Sequence, residues 1–180
     1  KAIKSVADAK GLKIRVPKNE IMIANYQSWG INPTPMAWGE TFTALQQRVV
    51  DGQDNPYITI SAMKFNEVQK YITNIRYVFS LEPLVVSEAV FKKQPADVQK
   101  AILEAGAEAS EHSYKWLLDT EDKIKKELTA KGMQITALSP TDATRMRSPL
   151  PRVHASLAPH VGLDLWKETQ AAVAKARTGK

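Results

Sequence analysis

Cysteine is absent from the 180-residue chain, and no apolar run approaches the length of a membrane-spanning helix. Without cysteine there is no disulfide, no thiolate metal site and no cysteine nucleophile. A helix that crosses a bilayer needs about 20 consecutive apolar residues, so the sequence predicts none. The lack of cysteine leaves the redox compartment open, although it is compatible with an oxidising space.

Glycine and acidic residues are also sparse. The 8 glycines are scattered and form neither a phosphate-binding loop nor a dinucleotide fingerprint. The 25 basic residues outnumber the 19 acidic ones, and the formal net charge of +6 favours anionic partners. The basic residues are dispersed among acidic ones, without the aromatic–basic clusters of nucleic-acid-binding surfaces. We therefore expect no nucleic-acid partner.

Familiar patterns of catalytic and metal-binding residues are missing as well. The chain has three histidines, His112, His154 and His160, and they lack the helical spacing of zinc ligands. A zinc site or a proton relay remains an alternative, but imidazoles that are solvated or packed against a helix are the favoured interpretation. Carboxylates near residues 119–127 alternate with lysines, which is typical of a solvated helix face. There is no nucleophile elbow, although a triad assembled only in space stays possible. We expect no catalytic residue, metal or cofactor.

The apolar residues that are present alternate between strand and helix periodicities. Short strands separated by helices predict an α/β fold with crossover connections. The sequence predicts a strand at 12–16, a helix from the cap residue Asn19 to Gly30, an extended segment at 32–38, a helix from Glu40 to Gly52 and a β-rich segment at 71–86.

The second half of the chain is predicted to be largely helical. Residues 95–131 contain one proline, at their start, and one glycine, which predicts a helix of about 55 Å that braces two lobes. Ser139 and Pro140 have the features of a helix start. The last helix is expected over about 164–176, with four side chains packed inward: Leu165, Trp166, Thr169 and Val173.

Three polar or aromatic positions in the first third of the chain are candidates for a ligand site. Arg15 lies in the middle of the first predicted strand; it is either a snorkelling edge residue or a fork that holds a carboxylate. Asn55 precedes a proline, so its amide either caps a turn or adds a donor beside Arg15. Trp38 is a core residue by default but could wall a pocket.

These residues lie in segments that resemble a known family. The segments are 11–17 (GLKIRVP), 32–36 (NPTPM), 38–46 (WGETFTALQ), 49–56 (VVDGQDNP) and 64–71 (KFNEVQKY), and the likeness continues into the long helix. Together they closely resemble the substrate-binding proteins of tripartite ATP-independent periplasmic (TRAP) transporters, the DctP family. The resemblance covers most of the chain.

The resemblance implies a periplasmic-binding-protein-like α/β clamshell of two lobes braced by a long helix. It implies capture of an organic acid in the periplasm and delivery to membrane permease subunits, without catalysis. Carried over by position, Arg15 resembles the carboxylate-clamping arginine, Asn55 its polar companion and Trp38 an aromatic residue that lines the cleft. An α/β enzyme for an anionic substrate and a ligand-sensing receptor domain are the alternatives.

The resemblance also implies a domain organisation. Residues 1–80 correspond to the second lobe with the carboxylate site, 81–94 to crossover strands or a hinge, 95–131 to the bracing helix and 132–180 to carboxy-terminal helices. The family is nearly twice as long, so most of the first lobe is expected to be missing, which favours self-association.

The sequence departs from the family pattern in two places. Asp54 stands where many members have Glu, and residues 81–83, Leu-Glu-Pro, replace a more apolar stretch.

Overall fold

The computed structural model describes residues 1–78 and 82–178. Within them the strands are β1 (Lys13–Val16), β2 (Asn32–Pro35), β3 (Gly52–Gln53), β4 (Tyr71–Asn74) and β5 (Gln134–Ala137). The α-helices are α1 (Val6–Ala9), α2 (Glu20–Ser28), α3 (Thr41–Gln46), α4 (Tyr57–Ala62), α5 (Glu88–Phe91), α6 (Ala96–Ala130), α7 (Pro140–Arg147), α8 (Leu150–Val161) and α9 (Leu163–Thr178). Short 3₁₀ helices span Trp38–Glu40 and Phe65–Glu67.

Two small parallel sheets organise these elements. In the first, β1 lies between β2 and β3, and Arg15 is aligned with Thr34 on one side and Gln53 on the other. Parallel neighbours need crossover connections, which α2 and α3 provide. In the second sheet β4 pairs with β5, and Thr73 is aligned with Thr136. The α/β class predicted from the sequence is confirmed.

The helix ends follow local chemistry. The Asn19 side chain accepts a hydrogen bond from the Met22 backbone N–H at 2.9 Å, which caps α2 as predicted. Ser139 accepts from the Asp142 N–H at 3.0 Å at the start of α7, with Pro140 in the first turn. Gly132 follows the end of α6 and has a φ of +90°. Glycine is common after a helix end, because it adopts a positive φ without steric cost.

Buried side chains form two groups. One joins β1 to α2, α7 and α8 and contains Ala9, Ile14, Val16, Tyr26, Trp29, Ile31, Met146 and Leu150. The other joins α3 and α4 to the end of α6 and contains Ala44, Leu45, Val50, Ile60, Phe65, Ile124, Leu128 and Met133. Within the first group, Trp29 joins the end of α2 to α7, because its Nε1–H donates to the Met146 carbonyl at 2.7 Å.

Two predicted elements end earlier than the sequence suggested. The helix predicted to run from Glu40 to Gly52 ends at Gln46, because Arg48 adopts a left-handed φ of 58°. Among its described residues, 71–78 and 82–86, the β-rich segment predicted at 71–86 has a strand only at Tyr71–Asn74, because its partner β5 ends opposite Asn74 and Arg76 has a φ of 46°.

The region predicted to hold crossover strands, 81–94, differs from the prediction within the described residues. Residues 82–87 form no strand, and Glu88–Phe91 is a helix. Leu81, in the stretch where the chain departs from the family pattern, lies outside the described residues.

The last helix is longer and more exposed than predicted. It spans Leu163–Thr178, and of its four expected inward residues only Trp166 is half-buried; Leu165 is 56% exposed and Val173 is 39% exposed. An amphipathic pattern predicts a face that can be buried, but a helix with few neighbours leaves that face in water.

The long helix agrees with the sequence in its bounds. Residues 96–130 are continuous α-helix, as the prediction of 95–131 required. In the described part of the chain, no helix is both long enough and apolar enough to cross a membrane.

Candidate carboxylate site

Arg15 is a buried cation at the centre of the first sheet. Only 6% of its surface is exposed, and its guanidinium Nη2 donates to the Met36 carbonyl at 2.9 Å. The buried Nε–H has no hydrogen-bond partner among the described residues. Burial lowers the pKa of Arg15, and the charge of Asp54 raises it again in part. The guanidinium therefore keeps unused donors in a place where water is largely excluded, which is the setting in which a carboxylate binds most strongly.

Trp38 forms a wall beside Arg15. The Arg15 Cζ lies 5.3 Å from the centroid of the Trp38 ring, within cation–π range. The ring meets Phe65 edge to face at 5.9 Å, and Phe65 is fully buried. Trp38 itself is 40% exposed. One side of the indole is thus anchored in the core while another side remains open, as a cleft-lining residue requires.

Asn55 is linked to this site through Gln53. The Asn55 Nδ2 donates to the Gln53 Oε1 in a short hydrogen bond, and Gln53 is the residue aligned with Arg15 across β1 and β3. Asn55 is half-buried. The structure therefore brings Arg15 and Trp38 into direct contact. Asn55 is connected to Arg15 only indirectly, because its amide is hydrogen-bonded to Gln53, the residue aligned with Arg15.

Asp54 lies between Gln53 and Asn55 in the chain and pairs with Tyr77, and neither Asp54 nor Tyr77 was among the predicted site residues. The Tyr77 hydroxyl donates to Asp54 Oδ2 at 2.5 Å, while the buried Oδ1 has no partner among the described residues. Burial is the largest cause of the raised pKa of Asp54; the hydroxyls of Tyr77 and Tyr26 and the charge of Arg15 lower it in part. The same surroundings raise the pKa of Tyr77 and Tyr26, mainly through burial.

An aromatic cluster supports this carboxyl group. The ring centroids of Tyr26 and Trp29 are 5.2 Å apart, and Tyr77 meets both rings edge to face, at 5.7 Å from Tyr26 and 5.3 Å from Trp29. Tyr26 and Trp29 are three residues apart in the segment that the sequence predicts as a helix from Asn19 to Gly30. Tyr77 lies far along the chain in a segment predicted as strand, so no local pattern could pair it with Asp54.

The histidines lie outside this site. His154 Nε2 is 3.1 Å from Asn25 Oδ1, and burial lowers the pKa of His154. His160 Nδ1 is 3.7 Å from Glu20 on an exposed surface. Among the described residues no three His, Asp or Glu side chains are grouped as metal ligands. His154 thus has the helix-packed role favoured from the sequence.

Comparison with known proteins places this arrangement in a family. Residues 1–159 match the model of the bacterial extracellular solute-binding proteins, family 7, also called DctP. The chain belongs to this family. The resemblance drawn from residues 11–17, 38–46 and 49–56 is confirmed, and so is the expected relation to solute-binding proteins of TRAP transporters.

Individual relatives agree with the family match. A solute-binding protein of Verminephrobacter eiseniae is 38% identical over 162 residues, which are 90% of this chain and 48% of the relative. A TRAP periplasmic solute-binding protein of Polaromonas sp., solved bound to D-erythronate, is 34% identical with a TM-score of 0.83, covering 91% of this chain and 54% of that one.

A second solved structure has the same fold. A TRAP periplasmic solute-binding protein of Shewanella oneidensis, solved with bound succinate, is 30% identical with a TM-score of 0.83, covering 96% of this chain and 57% of that one. The DctP fold predicted from the sequence is confirmed. The chain spans about half the length of the relatives it matches.

Proposed function

We propose that this chain supplies the carboxylate-binding part of a periplasmic solute-binding protein that captures an organic acid and delivers it to TRAP permease subunits. The observation that carries the proposal is the buried Arg15 fork, whose Nε–H has no partner among the described residues, beside the half-open face of Trp38. The family match and the carboxylates bound by two solved relatives support it. The role is capture and not turnover.

Each residue has a part in this proposal. Arg15 pairs with the ligand carboxylate and fixes its orientation through two parallel hydrogen bonds. Trp38 packs on the body of the ligand. Asn55 adds a hydrogen bond when its amide exchanges Gln53 for the ligand.

The proposal also assigns a role to each part of the chain. Residues 1–80 form the lobe that holds this site, 81–94 the hinge, 95–131 the brace and 132–180 the supporting helices. Closure of the lobes presents the complex to the permease.

The charge of the ligand is the first property to test. D-Erythronate and succinate are compared with the uncharged erythritol and succinamide, which keep the carbon skeletons without the carboxylates. Calorimetry and tryptophan fluorescence should detect binding of the acids and not of the neutral compounds. Binding of acid and neutral analogue with equal affinity contradicts the carboxylate clamp.

Replacement of Arg15 by lysine tests the geometry of the fork. Arg15→Lys keeps the positive charge and loses the two-pronged contact, so the affinity for the acid that binds should fall by about 1.5–3 kcal/mol, the scale of a charged hydrogen bond. Arg147→Lys, at an exposed position of α7, is the matched control and should bind normally. Unchanged calorimetric affinity in Arg15→Lys overturns the assignment.

A further inference from the structure

Gln53 and Asn55 form a pair of amides next to Arg15. Gln53 is aligned with Arg15 across the parallel strands β1 and β3. Aligned residues of neighbouring strands point to the same face of a sheet, and the strands lie about 4.8 Å apart. The side chain of Gln53 therefore leaves the sheet beside that of Arg15. Asn55 Nδ2 donates a hydrogen bond to Gln53 Oε1, and both residues are half-buried.

Capture of a carboxylate changes the hydrogen bonds of this pair. When the Asn55 amide turns to the ligand, it no longer donates to Gln53. The Oε1 of Gln53 then loses its only hydrogen-bond partner among the described residues. An acceptor that is shielded from water and left without a donor costs free energy. The complex is therefore tightest when the ligand itself supplies a donor to this oxygen.

The chemistry of the ligand decides whether it can supply that donor. An ionised carboxylate accepts hydrogen bonds and donates none, whereas a hydroxyl group does both. A hydroxyl on the carbon next to the carboxylate is held close to the group that Arg15 binds. Gln53 adjoins Arg15 on the same face of the sheet, so its Oε1 is in position to accept from such a hydroxyl.

We propose that Gln53 selects 2-hydroxy acids, because its Oε1 accepts a hydrogen bond from the hydroxyl next to the clamped carboxylate. This inference rests on the proposed function, which requires only a carboxylate. Arg15 and Asn55 bind the carboxylate of any organic acid, whereas Gln53 distinguishes a hydroxy acid from its deoxy analogue. The bond to the hydroxyl joins two neutral groups, so it should change the affinity by about three- to tenfold, less than bonds to the charged carboxylate do.

Two pairs of acids that differ only at carbon 2 test this selection. One pair is D-erythronate and 3,4-dihydroxybutanoate, and the other is malate, as each enantiomer, and succinate. Affinities are measured at about pH 7, where these acids are ionised, by calorimetry or by NMR titration when binding is weak. In each pair the hydroxy acid, for malate the enantiomer that binds better, should bind about three- to tenfold more tightly to the unmodified chain.

Replacement of Gln53 by methionine assigns the preference to this residue. Gln53→Met keeps the length of the side chain, removes its amide and leaves the Asn55 amide available to the carboxylate. The variant should lose affinity for the hydroxy acids and bind the deoxy acids at least as well, so the ratio within each pair should approach one. A purely structural role of Gln53 would weaken both members of a pair equally. Gln27→Met, at an exposed position of α2, is the control and should keep the ratios of the unmodified chain.

The results separate this inference from the function on which it rests. Equal affinities within either pair in the unmodified chain would mean that water satisfies Oε1, and they overturn the selection whether or not Gln53→Met folds. An unchanged ratio in folded Gln53→Met overturns it as well. In both cases the acids still bind, and the proposed function stands. Failure of every one of these acids to bind contradicts the proposed function, and the selection with it.

Discussion

Arg15 shows how a charged side chain is held out of water before any ligand arrives. A buried guanidinium costs several kcal/mol unless other groups compensate. Here one carbonyl, one indole face and the nearby charge of Asp54 provide partial compensation. Because the compensation is incomplete, a ligand carboxylate gains more from this arginine than it would from an exposed one, where an ion pair contributes only about 0–1 kcal/mol.

The Asn55 amide has two candidate roles, ligand binding and turn capping, and substitution of this one residue distinguishes them. Asn55→Ala should weaken binding by less than Arg15→Lys does, because a neutral amide makes a weaker hydrogen bond than a guanidinium. Its ligand-free melting temperature should fall by no more than a few degrees, since the lost bond joins two neutral side chains and contributes about 0.5–1.5 kcal/mol.

Gln53→Ala is the control for this prediction, because it removes the same hydrogen bond and keeps the Asn55 amide. It should reproduce the stability change and retain more affinity. A large loss of ligand-free stability in Asn55→Ala, measured by thermal unfolding, would instead assign Asn55 to the turn.

At the scale of elements, α6 is supported very unevenly. It has 35 residues and is about 50 Å long, yet only Ile124 and Leu128 near its carboxyl end are buried. Its surface carries charge pairs: Lys125 with Glu121 at 2.5 Å, within the predicted stretch 119–127, and Lys115 with Glu111 at 2.6 Å, outside it. Such pairs on the surface of one helix add only a few tenths of a kcal/mol each, so tertiary packing stabilises mainly the last turns.

Alanine substitutions at two leucines of α6 should therefore differ strongly. Leu128→Ala removes a side chain with 0% exposure and should lower the free energy of unfolding by about 2–5 kcal/mol. Leu118→Ala, at a position 60% exposed, should change it by no more than about 0.5 kcal/mol. Urea unfolding of both variants tests the difference. Equal losses would mean that the middle of α6 is covered in solution.

At the scale of the molecule, the exposed apolar side chains are concentrated on a few elements. On α6 they include Leu103, Tyr114, Trp116 and Leu118, and before α5 they include Leu84 and Val85, which are 71% and 80% exposed. Trp116 is 45% exposed. The relatives are about twice as long, and the 180 residues by themselves leave these side chains in contact with water.

We expect the 180-residue chain, purified by itself, to self-associate and to bind its acid weakly. Large contiguous apolar surfaces favour association between copies, and a site without the first lobe opposite it leaves its ligand exposed to water. Sedimentation at several concentrations should show a mass that increases with concentration. Leu103→Glu with Leu118→Glu should reduce the association, whereas Lys100→Glu, on an already charged surface, should have a smaller effect. A stable monomer that binds a carboxylate with micromolar affinity would refute this expectation.

Local chemistry in the sequence was sufficient for the helix boundaries that depend on it. Asn19, Ser139 and Gly132 act within a few residues of their own positions, so caps and ends could be predicted without knowledge of the fold. The motifs around Arg15 and Trp38 were sufficient for the family, because several short segments in a fixed order are specific even when each one alone is not.

The tertiary structure decided what depends on distant partners. The strand after Tyr71 ends at Asn74 because β5 offers no further partner, and α9 stays exposed because few elements cover its apolar face. The hydrogen bond between Tyr77 and Asp54 forms only when the segment after β4 is brought to the end of β3. Burial and the pairing of charges are properties of the assembled elements, and a residue's own neighbours in sequence carry too little information to specify them.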